Sequence, residues 1–293
     1  MISSWNTVKN LAFKFFGRTL EPVVPYFESI KSDLLKAGMG LSLTEYVYSM
    51  FFVLLLLFML ELPTLVIIFS IALKTAPLAF LLSFTILVVL ELIAFFTFYT
   101  YPSAQAGKRR KQIDETLPFA ATYMGTVASS GAPPITMFKV MAEFKDYGET
   151  SKEAEKIYRD VEAFGMDLPG AIRKTASRTP SEELKELLWG IDAVVTSGGN
   201  LGNYLHDKSR LFMQEYRRRL EQFSRTLSLL IEVYLTVILV GSIFFIIMTS
   251  LFSIFGGGGD TTLFFSFLQF IIIFIVMPFV SIGFIFLVKT ISP

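Results

Sequence analysis

Apolar positions in this chain follow two patterns. In the first they run almost unbroken: residues 46–101 contain only Glu61, Lys74 and Glu91 as charges, and residues 227–289 form a second such block, punctuated by GGGGD at 256–260. A helix needs about 20 apolar residues to cross a bilayer. The blocks therefore predict two spans each, near 46–73 and 77–101 with a break at Lys74-Thr75-Ala76-Pro77, and near 227–255 and 262–288. In the second pattern, between 102 and 226, apolar residues recur at helical spacing among charges, with no useful strand alternation. The expected fold is an all-α membrane protein: four transmembrane helices in a 2+2 arrangement bracketing one cytoplasmic bundle of six or seven helices. Its segments are 1–45, a helical N-terminal part; 46–101, the first membrane hairpin; 102–226, the bundle; and 227–289, the second hairpin.

Start and stop signals divide the bundle. Thr179-Pro180-Ser181-Glu182 reads as a capping box with Thr179 as N-cap, and Leu184, Leu187, Leu188, Ile191, Val194 and Val195 then mark one apolar face up to Gly198-Gly199. Thr150 to Glu153 reads as a second box, opening a helix with Ala154, Ile157, Tyr158, Val161 and Phe164 inward and Gly165 as its stop. Pro133-Pro134 starts another helix, and Asp167 caps a short one. The stretch LPFAATYMGTVASSGAPP, 117–134, is greasy yet flanked by charges. Ala121, Gly125 and Ser129 recur every four residues as a small-residue stripe that admits a close helix neighbour, with Phe119, Tyr123 and Val127 beside it. At about 13 residues between Pro118 and the Gly131-Ala132-Pro133 break, this helix is too short to span and is expected at the centre of the bundle.

Composition agrees with a membrane protein: 53% hydrophobic, 15% aromatic and 31 Phe in 293 residues, against roughly 45–50% apolar in soluble domains. A net charge of +1 gives no global argument for nucleic acid, and one His with no Cys removes most zinc, thiol and disulfide chemistry. MISSWNTVKNLAFKFFGR mixes lysines with aromatics and does not read as a signal peptide. Its Trp5, Val8, Leu11, Ala12, Phe15 and Phe16 oppose Lys9, Asn10 and Lys14, a basic amphipathic helix for the membrane surface or, equally, for packing on the cytoplasmic domain. Lysine and arginine set the orientation: five precede the first span and nineteen lie in 102–226, whereas the two short turns hold only Lys74. Both termini and the bundle are expected in the cytoplasm of a multi-pass cell-membrane protein.

Candidate chemistry is sparse. His206 has no partner logic for catalysis and reads as a solvated surface residue; no phosphate loop of the Walker type occurs, and GGGGD reads as a turn. No catalytic residue, metal site or cofactor is expected, and the chain is read as a non-enzyme. Two basic clusters, Lys108-Arg109-Arg110-Lys111 and Arg217-Arg218-Arg219, flank the membrane blocks. They fit lipid head groups and, as the functional alternative, docking of an acidic partner. Glu61 and Glu91 lie inside spans, and Glu232 lies near the start of the third. An intramembrane carboxylate is costly, so these acids read as protonated and hydrogen-bonded between helices, Glu61 beside Pro63, or as steps of a proton path.

Taken together, the two spans, the basic stretch with DETLPFAATYMGTVASSGAPP, and the two further spans resemble the type II secretion F domain of inner-membrane platform proteins of type IV pili, type II secretion, tight-adherence pili and the archaellum. DLLKAGMGLSLTEYV at 33–47 and LPGAIRKTASRTPSEELKELLWGIDAVVTSGGNLGNYL at 168–205 are similar to the same family, so the likeness covers roughly 30–290. Bacterial platforms usually hold two F domains and this chain holds one, with no internal repeat. Archaellum platforms are also longer, so a compact tight-adherence-like or archaeal pilus platform fits better, and the lack of cysteine and the DETLPFAATYM segment point to an archaeon. The resemblance implies a platform without catalysis of its own, coupling a cytoplasmic assembly ATPase to pilin or pilin-like subunits in the membrane. A homodimer would restore two F domains, and the basic clusters would dock the ATPase. The alternative reading is a small transporter or channel subunit with a cytoplasmic regulatory domain; against it, the spans lack repeats, broken paired helices and basic residues.

Overall fold

The computed structural model describes residues 20–73, 75–255, 267–268 and 270–291. The N-terminal amphipathic segment, Lys74, the GGGGD turn and the first residues of the fourth expected span lie outside them. Among the described residues every element is helical: α1 (Glu28–Ala37), α2 (Leu43–Leu73), α3 (Ala76–Ser129), α4 (Pro134–Glu143), α5 (Glu149–Glu162), α6 (Leu168–Ala176), α7 (Glu182–Ser197), α8 (Leu201–Phe255) and α9 (Met277–Ile291), with a 3₁₀ segment Glu21–Phe27 before α1 and a π-helical turn Ile272–Val276 before α9. The chain divides into two units, residues 1–210 and 211–293.

Four helices are long and apolar enough to cross a membrane, lying within α2, α3, α8 and the 274–291 segment. The protein is an all-α, multi-pass membrane protein. In the most apolar stretch of each, only 6%, 17%, 0% and 0% of residues are buried within the chain, so nearly all of this surface needs a non-aqueous surrounding.

The first unit is built on α3. The expectation of a separate short helix after Pro118 is corrected: one helix of 54 residues runs from Ala76 through Pro102 and Pro118 to Ser129. Each proline removes a backbone donor and would ordinarily break an isolated helix. Here the run is held by packing, since Ala106, Ile113, Leu117, Ala120, Ala121 and Met124 form one buried stripe. The span-to-bundle boundary at 101/102 therefore falls inside a continuous helix. Met137, Phe138 and Met141 of α4, Ile157 of α5, Ile172 of α6 and Leu187, Leu188 and Ile191 of α7 are all at most 1% exposed and complete the core. Segment 102–226 thus draws on six helices, two of which are parts of α3 and α8.

Caps locate the helix ends. Asp167 accepts from Gly170 N at 3.1 Å, as expected, and Pro134 opens α4. The α7 cap is Ser181, two residues beyond the expected Thr179; its Oγ accepts from Leu184 N at 3.0 Å and donates to Asp114 on α3 at 2.5 Å, which fixes the helix start to the central helix. Thr150 is not a cap: α5 starts at Glu149 after Gly148, and the Thr150 hydroxyl pairs with Thr116 at 2.8 Å. Phe164, expected inward, is 71% exposed, because α5 ends at Glu162 and Gly165 turns the chain at positive φ. A reciprocal capping box does form at Ser42 to Glu45, where Ser42 N donates to Glu45 Oε2 at 2.9 Å and Glu45 N to Ser42 Oγ at 3.2 Å. It opens the first span.

Below that span, Phe27, Ile30, Leu34, Tyr46, Val47 and Met50 form a cluster against Phe95 and Phe98. Tyr46 Oη donates to Phe98 O at 2.6 Å, tying α2 to α3 where both leave the apolar region.

In the second unit, α8 and α9 meet where Tyr234 stacks on Phe284 at 4.4 Å and its hydroxyl pairs with Ser281 at 2.9 Å.

Candidate functional site

The most densely built polar site lies where the membrane hairpin meets the bundle, and its centre is Arg109. Ala106, Arg109, Ile113 and Leu117 follow each other at helical spacing along the buried side of α3, so Arg109 points inward at 6% exposure. Its Nη1 donates to the carbonyl of Lys36 at 2.6 Å, its Nε to Glu149 Oε2 at 2.7 Å and its Nη2 to Glu153 Oε1 at 2.5 Å. One guanidinium thereby joins the C-terminus of α1, the extension of the second span and the first turns of α5. The fork geometry of arginine suits such multiple contacts, and a lysine could not make them together.

Two features complete the site. Gly38, at φ +66°, ends α1 in the left-handed conformation, and a Cβ there would come within 2.6 Å of Arg109 Nη1. Glycine is required twice over, for its backbone angle and for the space. Burial pushes the Glu149 carboxyl up, but hydrogen bonds from Lys152 and Arg109 outweigh burial and hold it below the ordinary carboxylate value.

The expected docking cluster 108–111 is accordingly corrected at one position. Arg109 is enclosed and fully engaged, while Lys108, Arg110 and Lys111 are exposed. Arg110 pairs with Asp114 at 3.4 Å and Lys111 with Glu115 at 3.9 Å. The signal that separates Arg109 from its neighbours is its register four residues before Ile113; read as part of a charge run, it was indistinguishable from them. In the second unit, Arg217 and Arg218 are exposed and Arg219 is half-buried. Arg218 and Arg219 reach Glu215 at 2.7 and 3.5 Å, and the hydrogen bond from Arg218 leads in holding that carboxyl below its usual value.

Glu61 on α2 and Glu91 on α3 are half-buried, and Glu61 Oε2 and Glu91 Oε1 are enclosed without a hydrogen-bond partner. The interhelical hydrogen bond expected for these acids is not made through those oxygens. Glu232 is exposed on α8. His206 is also exposed. No cluster able to hold a metal occurs among the described residues.

The small-residue stripe packs as a helix contact. A Cβ on Gly125 would lie 3.4 Å from Leu205 Cβ and 3.5 Å from His206 N, and one on Gly202 would lie 2.7 Å from Ser129 Oγ. Ala121 is fully buried on the same line. The first turns of α8 thus lie against the end of α3, and Leu205 is fully enclosed there.

Comparison with known proteins bears on this bundle. Residues 120–249 match the family described as "Type II secretion system (T2SS), protein F". The F-domain match takes in the stripe Ala121, Gly125 and Ser129, helices α4 to α7 and most of α8 with Arg217–Arg219; it leaves Arg109, Glu61 and Glu91 outside. An uncharacterized protein of Methanocaldococcus jannaschii is 30% identical over 150 residues, 51% of this chain and 25% of that protein. Flagella accessory protein J of the same organism is 26% identical over 152 residues, 52% of this chain and 27% of its own length. Flagella accessory protein J of Methanococcus voltae is 25% identical over 139 residues, 47% of this chain and 25% of its own. The matches span about a quarter of these curated relatives. No solved structure matches the chain.

Proposed function

We propose that this protein is the membrane platform of a type IV pilus-like filament or secretion machine, coupling a cytoplasmic assembly ATPase to the insertion of pilin subunits. The observation that carries the coupling is α3 together with Arg109. A helix of 54 residues is about 80 Å long at 1.5 Å per residue, and it is at once the second span and the central helix of the bundle. Arg109 ties it to the polypeptide entering the first span and to α5 of the bundle. A force applied to α4–α7 therefore has a hydrogen-bonded route to both helices of the first hairpin. The platform role is supported by the match of residues 120–249 to type II secretion protein F and by the likeness to two proteins named flagella accessory protein J.

On this reading the motor, the pilins and membrane lipids are the partners, the termini and bundle are cytoplasmic, and the chain hydrolyses nothing. Segments 1–45, 46–101, 102–226 and 227–289 are the units of work. The test is reconstitution: the purified protein should show no ATP turnover above buffer but should raise the rate of an assembly ATPase from the same organism. Turnover by the platform alone, abolished by a point change in this chain, would overturn the reading.

Lys108, Arg110, Lys111 and Arg217–Arg219 are the proposed contacts with that motor. Successive helical positions lie about 100° apart, so the three arginines of α8 cannot share one direction. If Arg217–Arg219 grip carboxylates of the ATPase, the planar fork matters and a triple Lys variant should reach the membrane at normal abundance yet lose co-purification with the ATPase. Normal co-purification would leave lipid anchoring as their role.

The protein is further proposed to form a homodimer, with two F domains beneath one filament. The lipid-exposed faces of α8 and α9, which bury nothing within the chain in their most apolar stretches, supply apolar surface for such a contact. Native mass spectrometry in mild detergent should show a dimer; monomers alone would count against it.

A further inference from the structure

A cavity of about 420 Å³ opens beside the Arg109 site, walled by Gly38–Ser42, by α5 and by α6 with the turn after it. Its volume is that of a small-ligand site; it shares Glu153 with the Arg109 site, and the coupling role gives its other lining residues nothing to bind. We propose that it binds a phosphate group.

The charges around the cavity are unbalanced in a specific way. Two acids line it, Glu153 and Asp160, and both are already neutralised: Glu153 by Arg109 at 2.5 Å and Lys156 at 2.9 Å, Asp160 by Lys174 at 2.8 Å. Arg159 and Arg178 also line it, from α5 and from the turn after α6, and neither forms an ion pair with any described residue. Two exposed guanidiniums from different elements thus line one concavity without an ion pair among the described residues. Guanidinium groups match the oxygens of a phosphate two at a time, and such charge-assisted bonds are the stronger kind.

Neutral donors lie in the same wall. Thr175 is 4% exposed, and its hydroxyl makes no hydrogen bond with the described residues. The backbone N–H groups of Gly40 and Leu41 likewise have no protein acceptor. A hydroxyl on a largely buried residue and two free amides line the same concavity as the unpaired guanidiniums, a set of donors without a protein acceptor that an anion completes. Phosphate on this cavity has two sources, an anionic lipid at the membrane end of the bundle and a soluble phosphate compound.

The experiment uses the full chain in detergent and in nanodiscs. Bound phosphatidylglycerol is counted by native mass spectrometry against phosphatidylcholine, and inorganic phosphate and ATP are titrated calorimetrically. The comparison is with Arg159→Gln/Arg178→Gln, whose side chains make no internal ion pair, so the fold is retained; circular dichroism and the melting temperature check this. Each arginine should contribute about tenfold to affinity. Retention of phosphatidylglycerol that the double variant loses supports the proposal with a lipid source. Binding of inorganic phosphate or ATP that the variant loses supports it with a soluble source. Absence of all of these, or binding that the double variant leaves unchanged, overturns it. Loss of ATPase co-purification in a variant whose wild-type parent binds no phosphate also overturns it, and assigns the cavity to an acidic segment of the motor.

Discussion

Replacing Arg109 with Leu is expected to lower stability by about 3–5 kcal/mol, the usual cost of removing one partner from a buried ion pair. The Glu153 side chain is 4% exposed and loses its strongest partner, and the Lys36 carbonyl loses its donor. For a domain of this size that is a fall of roughly 10 °C in apparent melting temperature, measured by intrinsic fluorescence in detergent. Two controls separate charge from packing. Adding Glu149→Gln and Glu153→Gln to Arg109→Leu removes the stranded acids and should recover part of the loss, whereas Arg109→Lys should sit between wild type and Leu. A melting temperature for Arg109→Leu within a degree of wild type would show that the site does not hold the bundle to the hairpin. The pH dependence has a definite sign. Because the folded Glu149 carboxyl lies below its ordinary value of 4.5, its contribution is present above that pH and is lost as pH falls through the folded value.

The second large effect is expected at Gly125, where size decides the outcome. An Ala there places its Cβ 3.4 Å from Leu205, an ordinary contact, and removes the helix penalty of glycine, about 0.5–1 kcal/mol. Gly125→Ala should therefore be neutral or slightly stabilising. Gly125→Leu drives a branched side chain into Leu205 and the backbone of α8 at His206, an overpacking cost of roughly 1–3 kcal/mol or more. Its expression level and the protease resistance of the bundle should fall, and with them, on the proposed function, filament assembly. If the Leu variant accumulated and assembled filaments normally, the contact between the stripe and α8 would not be structural.

Much of this was legible in the residues. Long apolar blocks admit few alternatives, so the four spans followed from length; Pro134, Asp167 and Gly198 mark helix ends through rules of backbone geometry that packing seldom overrides. The stripe of Ala121, Gly125 and Ser129 was legible because small side chains at every fourth position have one common use. The losses share a different cause. Pro102 and Pro118 read locally as breaks, but burial of residues on either side holds the helix through them. Thr179 and Thr150 each satisfy a capping pattern, yet tertiary partners draw the true starts elsewhere: Ser181 is held by Asp114, and Thr150 pairs with Thr116. The box at Ser42 to Glu45 was hidden by its position at the edge of an apolar block. Arg109 was hidden in a charge run, because the partners that turn it inward come from 40 and more residues away.

The unbroken α3 bears on how the helical bundle is to be produced as a fragment without its spans. A cut at residue 101 or 102 opens the helix in mid-course and leaves the first-turn backbone N–H groups other than that of Pro102, which has none, without acceptors. Pro102 tolerates a first-turn position, since it has no N–H to leave bare, and an Asp or Ser engineered at position 101 would cap the new end by about 1 kcal/mol. Such a fragment also lacks α1, so Arg109 would keep its two carboxylates but face solvent where the Lys36 carbonyl and Gly38 now close over it. A fragment that carries residues 28–38 back through a short linker would restore that lid and keep the native surroundings of the guanidinium.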